Sequence, residues 1–182
     1  YSAEVGVLSA AGGDALVVIG YLDQGGNQII QGSLDSGAFD TFVLSDGMIG
    51  DSLTDTFGSD LDGSFGSMPG STGAGAQKFK AYAEANGVNP SVYVGESYDA
   101  AALIVLAMAK GGSADSASVA ANIMSVANGP GTKIYAGELA KGLELASAGF
   151  AVDYDGATDV NFTEVGEAFG AFLEKGIEGG KF

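Results

Sequence analysis

The chain contains no cysteine, no histidine and no arginine. Without histidine and cysteine, Ser-His-Asp and Cys-His nucleophilic systems, HExxH metal sites and zinc-ribbon spacings are excluded within these 182 residues. No disulfide holds the fold. Without arginine, no side chain can grip a carboxylate in a bidentate fork. Basic charge is scarce altogether: seven lysines stand against 23 acids, a net charge of −16, which repels phosphate backbones and anionic lipid surfaces. Nucleic acid is therefore not an expected partner, and the plain consequence of the charge is solubility. No apolar run approaches the ~20 residues needed to span a bilayer, so no direct membrane insertion is expected. The opening residues do not read as a charged, apolar, small-residue leader, and there is no initiating methionine. Both ends are expected to be cut from a longer protein.

Against these absences, 46% of the residues are hydrophobic, enough for a real core in one domain or a domain with an appendage. The organising stretch runs from Ala15 through Leu16, Val17, Val18 and Ile19, then stops in Gly20, Tyr21, Leu22, Asp23, Gln24, Gly25 and Gly26. Such an apolar, β-branched run predicts a strand covered on both faces, as in a parallel sheet. Ligands of open α/β sheets sit beyond the carboxyl ends of the strands, which places Gly20, Tyr21 and Asp23 at a crevice.

In chain order, Tyr1 to Ala11 predicts a helix with Tyr1, Val5 and Leu8 on one face, and a strand Leu16–Tyr21 follows. A helix from Gln24 to Ser36 and a strand from Thr41 to Ser45 then complete a right-handed βαβ unit. A short helix over 50–57 and a third strand over 61–68 come next. Helices are expected over 76–85, 99–109, 113–126 and 138–148, each ended by glycine or Asn-Gly. The 99–109 helix carries Leu103, Ile104, Val105, Leu106 and Met108 and is expected to be buried on most sides, with Lys110 suited to its C-terminus. Val152–Phe162 has loop and short-strand character. The tail reads as a strand running to a turn at Gly179-Gly180.

The order of four pieces, Gly12–Tyr21, Phe39–Gly47, Gly63–Gly70 and Glu96–Ala100, resembles the later half of the type I periplasmic solute-binding proteins, the branched-chain amino acid receptors of ABC transporters. The segments Gly129–Tyr135 and Asp155–Thr158 resemble the acidic bacterial branch of that family. The resemblance implies an α/β fold, a three-layer αβα lobe with a mainly parallel sheet, with the first lobe absent. It implies residues 1–95 as the second-lobe βαβ core, 96–150 as helical segments tied to the hinge and the other lobe, and 151–182 as strands returning to the lobe. It implies a periplasmic location, a small amino-acid-like ligand bound by hinge closure, an ABC permease as membrane partner, no cofactor, no metal and no enzymatic activity. It also implies that Tyr21 packs on the ligand and that Asp46 pairs with the ligand's ammonium, with Gly20, Asp23, Gly47 and Glu96 around them. Around Gly95 some relatives carry a bulky aromatic that this chain lacks.

A carboxylate at a sheet's carboxyl edge that faces an ammonium in a water-excluding cleft makes a strong charge-assisted hydrogen bond. Asp46 is equally suited to cap the turn that follows it, and Tyr21 to be an ordinary strand-end aromatic. Glu96 with Ser97 and Asp99 reads either as a site cluster or as a helix N-cap. With no arginine, the ligand's carboxylate must be met by amides, hydroxyls or a helix N-terminus, expected on the absent lobe, so the piece alone should bind weakly. Two rival functions remain at this stage: a carboxylate-based hydrolase using two of Asp23, Asp46 and Glu96, and a sensing domain of the same fold. The glycine-rich stretch Gly70–Gly75 lacks the lysine of a phosphate loop. Asp60-Leu61-Asp62-Gly63 and Asp153-Tyr154-Asp155-Gly156 lack the later ligands of a calcium loop.

Overall fold

The computed structural model describes residues 1–182. Helix α1 (Ser2–Ala11) ends at Gly12 and leads to β1 (Leu16–Val18), followed by a tight turn over Leu22–Gly26. Gly25 adopts φ +105° in that turn, a conformation that favours glycine. Helix α2 (Asn27–Ser36) therefore starts three residues later than the sequence predicts, and closes on Gly37 in the left-handed region. Strand β2 (Phe42–Leu44), α3 (Asp51–Phe57) and β3 (Phe65–Pro69) follow. Helices α4 (Ala74–Ala85), α5 (Val94–Gly111) and α6 (Ser116–Ala127) come next, then β4 (Thr132–Ile134), α7 (Leu139–Ser147) and β5 (Val152–Tyr154). Short strands β6 (Asn161–Phe162) and β7 (Ala168–Phe169) form a hairpin, and β8 (Phe172–Gly176) runs to the turn at Gly179-Gly180, closed by pairing of Glu178 with Lys181.

The chain divides into two compact units, Tyr1–Met68 with Leu173–Phe182, and Pro69–Phe172. The class is α/β with a mainly parallel sheet, as the sequence implies. The first unit holds a four-stranded sheet in the order β1-β2-β3-β8. Leu16, Val17 and Val18 pair in parallel with Phe42, Val43 and Leu44, and β2 pairs in parallel with β3. The bond from Ile177 N–H to the Ser64 carbonyl and that from Gly70 N–H to the Ala171 carbonyl show that β8 runs antiparallel to β3. Two same-handed crossovers in one direction place α2 and α3 on one side of the sheet. There Leu16, Val18, Phe42 and Leu44 form one core with Ile30, Met48, Leu53, Phe57 and Leu61.

The opposite sheet face differs from expectation. Val17 is 61% exposed and Ile19 85% exposed, so β1 is covered within this chain on its Leu16/Val18 face only. Helix α1 likewise buries Val5 while Tyr1 and Leu8 stay exposed.

The second unit has its own core, in which Ala102, Leu103, Leu106 and Ala107 of α5 meet Val126 and Ala127 of α6, Ile134, Ala146, Val152 and Tyr154. Strands β4 and β5 pair in parallel. Helix α5 begins at Val94 rather than Asp99, and Ile104 and Val105 face outward, so only one side of it is buried. No helix is long and apolar enough to cross a membrane.

Candidate binding site at the carboxyl ends of the strands

The parallel ladder between β1 and β2 brings the ends of both strands side by side, and with them four of the sequence-derived candidates. Leu16 N–H donates to the Thr41 carbonyl (3.0 Å) and Ser45 N–H to the Val18 carbonyl (3.1 Å). Continuing that register, the next rung would run from Gly20 N–H to the Ser45 carbonyl. Instead Gly20 N–H donates to the Ser45 hydroxyl at 3.2 Å, and the Ser45 carbonyl turns away to accept Met48 N–H at 2.9 Å. The side-chain oxygen thus supplies the last rung while the main chain bends into the Asp46–Met48 turn.

Tyr21, Asp46 and Gly47 follow from this bend. A Cβ built on Gly47 would lie 2.4 Å from the Gly20 carbonyl oxygen and 2.7 Å from Cδ1 of Tyr21. The Tyr21 ring therefore rests on the bare Cα of Gly47, and the residue is 53% exposed. Its carbonyl accepts Gly26 N–H (3.0 Å) and Gln24 N–H (3.2 Å), which curls the Leu22–Gly26 turn around the strand end. That turn packs beside Asp46–Met48, and a Cβ on Gly26 would strike the fully buried Met48 sulfur. Asp23 is exposed on the same turn.

Asp46 is half-buried, and one of its carboxylate oxygens, Oδ1, accepts Gly47 N–H at 2.9 Å. It accepts from the amide of the next residue within the turn, whose N-cap is Ser45 and which has no side-chain cap, and that bond fixes its direction. The first lysine of the chain is Lys78, so residues 1–77 contribute Asp23 and Asp46 at the strand ends and no basic side chain. The shelf is thus an aromatic face, a positioned carboxylate and close-packed backbone. An aromatic face can hold an apolar group, and a carboxylate a cation.

Glu96 lies in the second unit, in the first turn of α5, where its charge suits the helix dipole. It borders a cavity of about 380 Å³ lined chiefly by Leu103, Val160, Phe162, Ala168 and Phe172. The N-cap of α5 is Tyr93, at φ +68°, not Ser97 or Asp99. At Gly95 a Cβ would come 2.9 Å from that of Ala157, so the helix packs on Ala157 there through its backbone.

Asp99 is 2% exposed, and its role was not foreseen. Its Oδ1 accepts the Tyr154 hydroxyl (2.7 Å) and Ala157 N–H (2.9 Å), and its Oδ2 accepts Thr158 N–H and the Thr158 hydroxyl (both 2.8 Å). Burial, followed by the Asp99 charge and its hydrogen bond, pushes the Tyr154 hydroxyl far above the ordinary tyrosine range. Burial also raises Tyr98, against a lowering by the Gly137 N–H that donates to its hydroxyl. This network ties α5 to the turn after β5. Asp153 and Asp155 both pair with Lys133, at 3.0 and 3.4 Å, and Asp62 accepts Gly180 N–H at 2.8 Å. Asp62, Asp153 and Asp155, three of the four aspartates of the two calcium-like stretches, are thus partnered within the chain.

No family model and no curated protein matches the chain. Among solved structures, the chain is similar to a leucine-binding protein, LivK of Thermotoga maritima, with a TM-score of 0.69 at 20% identity. The match covers 99% of this chain and 46% of that one, so the chain spans about half the length of this relative. The fold is that of the type I periplasmic binding proteins.

Proposed function

We propose that the chain is part of a solute-binding protein whose shelf at the carboxyl ends of β1 and β2 receives the ammonium end of an amino acid or similar small solute. Asp46 pairs with the ammonium, Tyr21 forms the wall against the solute's apolar part, and Gly20, Gly47 and Asp23 frame the approach. Glu96, the remaining candidate, offers its carboxylate to a solute at the second unit's own cavity. The protein acts by binding and not by catalysis, and closes on its solute about a hinge together with a further lobe. In the periplasm it passes the solute to an ABC permease.

The observation that carries this reading is the Tyr21 ring seated on Gly47 beside the turn-fixed Asp46 carboxylate, in a fold whose solved relative is a leucine-binding protein. An exposed aromatic backed by glycine presents one whole face to a ligand. A carboxylate held in direction loses little freedom when an ammonium arrives.

Calorimetric titration of the protein with an amino-acid panel tests the proposal. At least one member should bind, and Asp46→Asn should weaken it by on the order of 2–5 kcal/mol, because the ligand cation is left unpaired. Binding by no member, or binding indifferent to Asp46→Asn, would overturn the assignment.

A further inference from the structure

We infer that Ser45 is a positioning residue for this site: its hydroxyl replaces the final rung of the β1–β2 ladder and so sets where Tyr21 and Asp46 stand relative to each other. This rests on the reading that Tyr21 and Asp46 face the solute. The two are sequence neighbours of the two residues joined by the Ser45 side chain. Gly20 precedes Tyr21, and its N–H donates to the Ser45 oxygen at 3.2 Å, with the same hydroxyl 3.4 Å from the Gly20 carbonyl. Ser45 precedes Asp46, and its own carbonyl is committed to Met48 N–H.

The sheet needs this device because β2 must leave the ladder one residue early. A main-chain rung at Ser45 would hold its carbonyl toward β1 and forbid the turn that points Asp46. Leaving without a substitute would orphan the Gly20 N–H at the strand end. One hydroxyl satisfies both demands, and Gly47 then has the space to accept the Tyr21 ring. At the other end of β2 a serine hydroxyl again accepts a strand amide, but there the serine's own carbonyl stays within the sheet. The buried Ser64 hydroxyl accepts Phe42 N–H at 3.0 Å while the Ser64 carbonyl accepts Ile177 N–H. That end has no candidate ligand groups, so Ser64 is the internal control for a purely structural serine.

The test compares Ser45→Ala, Ser45→Cys and Ser45→Thr in the isotope-labelled chain, with L-leucine as the probe. In ligand-free protein, Ser45→Ala should speed hydrogen exchange at the Gly20 amide roughly five- to tenfold, the worth of one hydrogen bond. L-leucine affinity should fall by a similar or larger factor, with cysteine intermediate and threonine, which keeps the hydroxyl, close to wild type. If the alanine variant does not fold, the cysteine variant carries the comparison. Ser64→Ala should lower stability without a comparable loss of L-leucine affinity relative to the folded fraction. Unchanged Gly20 exchange in Ser45→Ala, or affinity loss that threonine does not restore, overturns the inference. If the wild-type chain takes no L-leucine, the amino acid of the panel that binds most tightly replaces it as the probe; if none binds, the solute reading fails on its own, and Gly20 exchange still decides whether Ser45 holds the strand end.

Discussion

The Cα of Gly47 lies against the ring of Tyr21 so closely that a methyl group there would stand 2.7 Å from Cδ1. The neighbouring obstacle is the Gly20 carbonyl oxygen, 2.4 Å from the same methyl, and main-chain atoms in a hydrogen-bonded strand end cannot step aside as a flexible side chain can. Gly47→Ala should therefore destabilise the first unit by about 1–3 kcal/mol, as overpacking does, and turn the Tyr21 ring. Urea unfolding followed by circular dichroism measures the first effect, and the Tyr21 ring resonances report the second.

Asp99 is expected to be the most sensitive polar position of the second unit. Asp99→Asn keeps the shape but puts an amide donor against the Thr158 or Tyr154 donors, and should cost about 2–4 kcal/mol, since buried donors to a charged acceptor lose their partner. Tyr154→Phe removes one bond only and should cost nearer ~1 kcal/mol. Equilibrium denaturation of the two variants side by side checks the order.

Alkaline pH should act through Tyr154. Its hydroxyl is held in the neutral form when folded, so its ionisation is raised above that of the unfolded chain. The resulting stabilisation is fully present below the unfolded tyrosine value of roughly 10 and is lost as pH rises above it. Thermal melts between about pH 8 and 11.5 should show stability falling at the upper end, and Tyr154→Phe should flatten that fall.

Ile19 gives the opposite expectation. At 85% exposure its replacement by serine should change the stability of this chain by no more than about 0.5 kcal/mol. A loss of a core residue's size, on the order of 2–5 kcal/mol, would show that something covers this sheet face in solution. Chemical denaturation of Ile19→Ser distinguishes the two.

Much of the frame could be read from residues alone. Apolar runs broken by glycine mark β1, β2 and α2, and short connections between them require parallel neighbours, so Gly20 and Tyr21 fall beside Asp46 and Gly47 without any coordinates. The run Leu16–Ile19 misled on burial, because a β-branched sequence looks the same whether one face or both are covered. Ile104 and Val105 misled on α5 for the same reason. Ser45 escaped notice because its role depends on where the ladder stops, although a serine between an apolar strand and Asp-Gly is a usable signal. Asp99 was illegible for a different reason: its partners lie 55 to 59 residues further along the chain, and nothing local announces them.

The most direct test of the shelf as a binding site is chemical-shift mapping of the isotope-labelled chain with each member of the amino-acid panel, L-leucine among them, at millimolar concentration. Saturable shifts centred on Gly20, Tyr21, Asp46 and Gly47, and abolished in Asp46→Asn, are the expected result. Shifts confined to other residues, such as those around the cavity beside Phe162, or no saturable shift at any residue, would contradict it.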